Sequence, residues 1–179
     1  MTSVRDEYRL EDIARDHSIG AAMFVPLVIV RLRGHAGATE ALLTARLRDV
    51  IKAGETRHLL RLSWSAESIP NRPLGVHERT ATEWAACGIA CVVMSLYTGL
   101  RVRHVTGDGD RFDYWVGDGD HEYGLEVSGT MTDDVEARHR LKVRQLRENP
   151  YGVDGYVVIV GFATREVIFS FNRFEEVAL

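Results

Sequence analysis

The 179-residue sequence predicts an α/β (α+β) fold, a mixed sheet flanked by helices and preceded by an N-terminal extension. Three observations carry that prediction. A nearly all-apolar segment from about His77 to Tyr97 has the length and composition of a helix packed against a sheet. Three short β-like segments follow, Leu100–Thr106, Arg111–Val116 and Tyr123–Ser128, separated by Gly-Asp-Gly-Asp at 107–110 and again at 117–120. A basic, helix-periodic segment to about Arg147 then leads into two more β-like runs, Gly155–Gly161 and Glu166–Phe171. The order α-β-β-β-α-β-β assigns residues 76–179 to one core unit.

Within that unit, Thr98-Gly99 stops the first helix. Thr132 or Asp133 caps the second, and Asn149-Pro150 ends it. Val135, Leu141 and Leu146 form its expected apolar stripe. Residues 66–75, AESIPNRPLG, are the clearest break in the chain and set the N-terminal part, 1–75, apart.

In that N-terminal part, Leu10, Ile13 and Ala14 sit at helical spacing and predict a short, weakly anchored helix. Residues 21–33 read as a buried strand or as a helix broken at Pro26; the β-branched run Val28-Ile29-Val30 favours strand. Thr39 is placed to cap a helix over Glu40–Gly54, whose Leu42, Leu43, Leu47, Val50 and Ile51 follow the 3.6 period. His58–Trp64 reads as a strand.

The bulk numbers exclude several classes. With 45% hydrophobic and 27% charged residues the chain is ordinary for a globular protein. Its net charge of −4 rules out a globally basic nucleic-acid binder, so any such role needs a local basic patch. Cys87 and Cys91 lack neighbours for a zinc knuckle and read as small core residues in a reducing compartment. No signal-peptide pattern opens the sequence, and the longest apolar run, Ala21–Val30, is half a membrane span. The expectation is a cytoplasmic protein without a membrane partner. No Walker loop, serine-hydrolase elbow or EF-hand spacing occurs. The Tyr114-Trp115 pair reads as packing rather than as a base-stacking platform.

The acidic residues carry the chemistry. Asp113 and Glu126 lie thirteen residues apart on successive β-like segments. Antiparallel neighbours joined by a short turn set two such side chains side by side. Carboxylates that close repel unless a cation or proton lies between them. An oxygen-only set favours Mg²⁺ or Mn²⁺. Glu83, an acid near the start of an apolar helix, is a candidate third ligand. Glu126 stands inside Gly-Leu-Glu-Val-Ser-Gly, a run with the look of a buried strand, where a lone charge is costly.

A helix with Glu83, a hairpin with Asp113 in Arg-Phe-Asp-Tyr-Trp-Val, and a strand with Glu126-Val127-Ser128, then a helix and more strands, resembles the PD-(D/E)XK nuclease superfamily. The resemblance covers residues 77–171 and implies a restriction-endonuclease-like core, α-β-β-β-α-β. It implies that Glu83, Asp113 and Glu126 hold Mg²⁺ or Mn²⁺, which activates water against a DNA phosphodiester. Two positions depart from the family pattern. Phe112 replaces the proline before Asp113. Ser128 stands where the family carries its catalytic lysine, and Ser supplies no charge. Some members take a replacement from the next helix, where Arg138 and Lys142 share a face four residues apart. Lys142 is the candidate for that lysine, with Gln145 as a polar partner; Asp113, Glu126 and Lys142 form the expected catalytic set. Arg138, Lys142 and Arg144 are the expected contacts to the DNA backbone. A homodimer, or a place in a larger complex, suits cleavage of two strands. The alternative is an inactive nuclease-fold module that serves as an interaction or assembly subunit.

Overall fold

The computed structural model describes residues 4–72, 74–132 and 134–174. Eight strands form one mixed sheet: β1 (Val4–Arg9), β2 (Glu40–Arg48), β3 (Glu55–Ser63), β4 (Arg101–Val105), β5 (Tyr114–Gly117), β6 (Glu122–Thr130), β7 (Gly155–Gly161) and β8 (Glu166–Asn172). Their order across the sheet is β1-β3-β2-β8-β7-β6-β5-β4. The break at 66–75 opens with one short helical turn, Ala66–Ser68, and the sheet runs past it. Strands from the two segments join where β2 pairs in parallel with β8.

The helices are α1 (Ile13–Asp16), α2 (Val25–Leu32), α3 (Glu78–Thr98) and α4 (Val135–Arg147). Alternation decides which of them lies on which face. On β6, Leu125 and Val127 join the larger core with α2 and α3. Its Glu126 and Ser128 turn the other way and meet α4. On β7, Val157 and Ile159 join Val135 and Leu146 of α4 in a smaller core. The sheet therefore separates α3 from α4.

Several N-terminal expectations are overturned. The segment over Glu40–Gly54 is not a helix but β2 and a turn. Ala41, Leu43, Ala45 and Leu47 are buried on alternate positions, while Leu42 is 41% and Ile51 54% exposed. The period-2 pattern runs through two alanines, and pairing on both sides by β3 and β8 outweighs helix propensity. Thr39 caps nothing; its carbonyl accepts from the Trp64 N–H at 2.9 Å. The turn between β2 and β3 is closed by Asp49, whose carboxylate accepts from the Gly54 N–H at 2.8 Å, with both residues at positive φ. Conversely, residues 21–33 are not a strand: a single turn, Ala21–Phe24, runs into α2. Pro26 falls in the first helical turn, where its missing N–H leaves no bond unmade. The short N-terminal helix is preceded by strand β1, and the weak anchoring expected of it is not found: Leu10 and Ile13 are fully buried, though Ala14 is exposed.

α3 is bounded close to expectation, with Gly99 at φ 70° donating to the Met94 carbonyl. It is long and apolar enough to cross a membrane by length and composition, yet 67% of that stretch is buried inside the protein. Two glycines let it seat so closely. A Cβ at Gly88 would stand 2.5 Å from Val28, and one at Gly129 would stand 2.6 Å from the Thr82 carbonyl. α4 differs in detail from expectation. Its cap is Asp134, which accepts from the Ala137 N–H at 2.8 Å. The Thr132 hydroxyl instead bonds that of Thr130, and Asp133 lies outside the described residues. Leu141 is 59% exposed, and His139 takes its place in the buried stripe between Val135 and Leu146. The helical repeat from Val135 passes through 139 and 146 but not 141.

Candidate active site

α4 runs antiparallel to β6 and contacts it rung by rung. The Arg138 guanidinium donates to the Ser128 hydroxyl at 3.1 Å. The Lys142 ammonium donates to Glu126 Oε1. Leu146 comes so close to Gly124 that a Cβ there would stand 3.0 Å from it. The matching has a simple origin. Residues four apart on a helix face are about 6 Å apart, and alternate residues on a strand about 7 Å apart. Three helix positions, two steps of four apart, thus match three same-face rungs of β6, two polar and one apolar.

β5 completes the set. Tyr114 pairs with Leu125, so the preceding residue, Asp113, falls beside Glu126 on the α4 face. Asp113 lies just before β5 rather than within it, but its N–H still donates to the Leu125 carbonyl at 2.9 Å. Its Oδ2 accepts from the Val127 N–H at 2.8 Å, which fixes the carboxylate against β6. Glu126 is fully buried, and its Oε2 has no hydrogen-bond partner while both carboxyls are ionised.

Burial raises the affinity of Glu126 for a proton, the charge of Asp113 raises it further, and Lys142 opposes both, leaving its pKa at about 7. That proton gives Glu126 a hydrogen to donate to Asp113. The Asp113 pKa is also raised, by burial first, against the pull of the Val127 N–H and Lys142. The arrangement is therefore short of positive charge: two carboxyls share one ammonium. Lys142 also donates to Gln145 Oε1 at 3.2 Å, and Gln145 reaches the Arg111 carbonyl at 3.5 Å.

Not every residue expected here is gathered. Glu83 has a side chain 51% exposed and pairs with Arg79 at 3.2 Å, one turn away on α3. Its charge is felt at Asp113, but among the described residues no three His, Cys, Asp or Glu side chains form a group that could hold a metal. Arg144 belongs to a different flank of α4 and lines a groove with Arg48 and Arg140. Cys87 is on the α3 side, where its Sγ accepts from the Tyr114 hydroxyl at 3.3 Å.

Two features of this face were not read from sequence. Arg138 occupies the space beside Ser128, a contact implied by the spacing that brings Lys142 to Glu126. Trp115 packs edge-on against Phe112 and Tyr151, with ring centres 4.9 and 5.1 Å away, and closes the end of the site beyond Gly124. Tyr114 and Trp115 therefore serve opposite faces of the sheet.

On the far flank of α4, His139 is locked between Arg48 and Ser170, at 3.3 and 2.8 Å. Burial, and then the charge of Arg48, lower its pKa to about 4. The unfolded chain takes up this proton near pH 6.5 and the folded chain only near 4. His139 thus contributes stability above pH 6.5 that is lost as pH falls through that window. Relative to His139→Gln, the urea midpoint of the natural chain is expected to fall as the pH goes from 6.5 to 4; parallel curves would contradict this assignment.

Comparison of the chain with protein-family models, with curated proteins and with solved structures finds no match to any of them.

Proposed function

We propose that this chain is a metal-dependent, nuclease-like protein that hydrolyses DNA phosphodiester bonds at the Asp113–Glu126–Lys142 site. One observation carries the reading: a lysine from the helix after the Glu126 strand reaches Glu126, with the Asp113 carboxyl beside it. A lysine there would supply the charge that Ser128 does not. The order α3-β4-β5-β6-α4-β7, on a mixed sheet with α3 and α4 on opposite faces, agrees with a restriction-endonuclease-like core.

The donor set fits a hard divalent cation. Asp113 and Glu126 offer carboxylate oxygens only, and Glu126 Oε2 is buried without a partner. Mg²⁺ and Mn²⁺ are commonly held by one or two carboxylates, with water and substrate phosphate completing the shell. Asp113 and Glu126 would hold the ion, and Glu83 would need a side-chain rotation away from Arg79 to join them. Bound there, such an ion supplies a Lewis acid and an activated water. Lys142 positions Glu126 and adds positive charge where the phosphodiester gains negative charge. Arg138, exposed beside Ser128, meets a neighbouring phosphate.

A second reading is favoured by the Glu83–Arg79 pair and by Ser128. A nuclease fold that has lost its third acid and its strand lysine serves as an interaction or assembly module. Plasmid DNA incubated with Mg²⁺ or Mn²⁺ separates the readings. Cleavage by the natural chain and none by Glu126→Ala is expected. Equal cleavage by both, or none by either, would overturn the catalytic reading.

A further inference from the structure

The flank of α4 turned away from Lys142 borders an open groove of about 570 Å³ between the helix and the β2–β8 part of the sheet. Arg48, Arg140, Val143, Arg144, Arg147 and Glu148 are among its lining residues. Four of these are arginines and one is a glutamate, on a chain whose net charge is −4.

The arginines are not equivalent. Arg48 is committed to the fold: it pairs with Glu136 at 2.5 Å and with Glu55 at 2.8 Å. His139, bonded to Ser170, brings no charge of its own at neutral pH. Arg140 and Arg144 are exposed, and neither makes an ion pair or hydrogen bond among the described residues. They stand four residues apart, so they project from one face about 6 Å apart. A row of cations suits a ligand whose negative charges also come in a row, as along a sugar–phosphate backbone. The planar arginine fork matches phosphate oxygens two at a time. Val143, half-buried, lies between them.

We propose that this groove is a nucleic-acid backbone site, separate from the carboxyl pair, in which Arg140 and Arg144 each take a phosphate. It rests on the preceding reading only for the class of ligand. Both sites lie along the same helix: Arg138 and Lys142 face the carboxyls, and Arg140 and Arg144 face the groove. A strand crossing α4 meets both.

The test is DNA binding without metal. A labelled duplex oligonucleotide is titrated with the full chain in chelator, by fluorescence anisotropy, at several salt concentrations. The natural chain is expected to bind with a steep salt dependence. The Arg140→Gln/Arg144→Gln variant, altered only at exposed positions, is expected to bind at least ~10-fold more weakly and to lose about two from the slope of log K against log salt. Unchanged affinity and slope, or no binding by the natural chain, would overturn the groove assignment. Competition by inorganic phosphate as effective as that of oligonucleotide, phosphate for phosphate, would assign a compact anion and overturn the backbone site. Absence of cleavage with DNA binding intact would overturn the catalytic reading alone, so the two failures are distinct.

Discussion

Replacing Lys142 by methionine is expected to lower stability by about 2–3 kcal/mol at pH 8, because a buried carboxylate loses its cation. Methionine keeps most of the stem and its packing and removes only the charge. Glu126 is fully buried, and among the described residues Lys142 is the one ammonium bonded to it. The natural pair gains less than its short contact suggests, since Lys142 is 22% exposed and shared with solvent. Removal of the cation nevertheless leaves two adjacent carboxyls with nothing positive between them. At pH 5 the loss should shrink, because Glu126, with a pKa of about 7, is then already protonated and donates to Asp113. Urea denaturation at the two pH values reads this directly. A loss of equal size at pH 5 and pH 8 would contradict the charge argument and point to packing alone.

Glu126→Gln is expected to have the opposite effect on stability and to lower activity. A glutamine there reproduces the protonated glutamate: its carbonyl accepts from Lys142, and its amide donates to Asp113. In the folded chain Glu126 holds a proton up to about pH 7, whereas unfolded it releases it near 4.5. Its contribution to stability is therefore complete below pH 4.5 and is lost as pH rises through 7. The variant should match the natural chain at pH 4.5, grow more stable relative to it up to pH 7, and stay more stable above. At pH 8 the gain should be about 1 kcal/mol, in the range found when buried charges are replaced by well-fitted neutral groups. Metal-dependent DNA cleavage should fall by at least ~100-fold, as when one electrostatic contributor to a transition state is removed. A residue that destabilises its own fold while serving the chemistry is the expected sign of a functional site. A Glu126→Gln variant less stable than the natural chain at pH 8 would mark Glu126 as a structural anchor instead.

Much of the C-terminal fold was legible because its local signals agree with its packing. The apolar length of α3, the Gly-Asp turns of the meander and the continuous apolar runs of β7 and β8 each have one physical solution. The N-terminal segment was not legible for the opposite reason. Leu42, Leu43, Leu47, Val50 and Ile51 satisfy the helical period, and only the burial of Ala41 and Ala45 exposes the strand. Alanine is the best helix former, so its use on the inner face of a central strand hides that strand from pattern reading. Pro26 misled in the same way, being a breaker in a helix interior and a good residue in a first turn.

The carboxyl pair was legible from adjacent strands joined by a tight turn, and Lys142 from the resemblance, in which a lysine of the following helix can stand in for the one missing at Ser128. The grouping of Glu83 with that pair was not reproduced: a residue's place along α3 does not fix its rotamer, and Arg79 one turn away offers a nearer partner. The separation of Arg144 from Arg138 and Lys142, with which the sequence grouped it, was not legible because the basic residues of α4 look like one set in sequence. The sheet beneath sorts them onto two flanks.

The central claim is that Asp113 and Glu126 together take a divalent cation. Calorimetric titration of the metal-free chain with Mn²⁺ at pH 8 tests it most directly. Saturable binding is expected, weakening as pH falls through 7 because the ion must displace the proton on Glu126, and it should be abolished in Asp113→Asn. No saturable binding at pH 8, or binding that Asp113→Asn leaves unchanged, would contradict the claim.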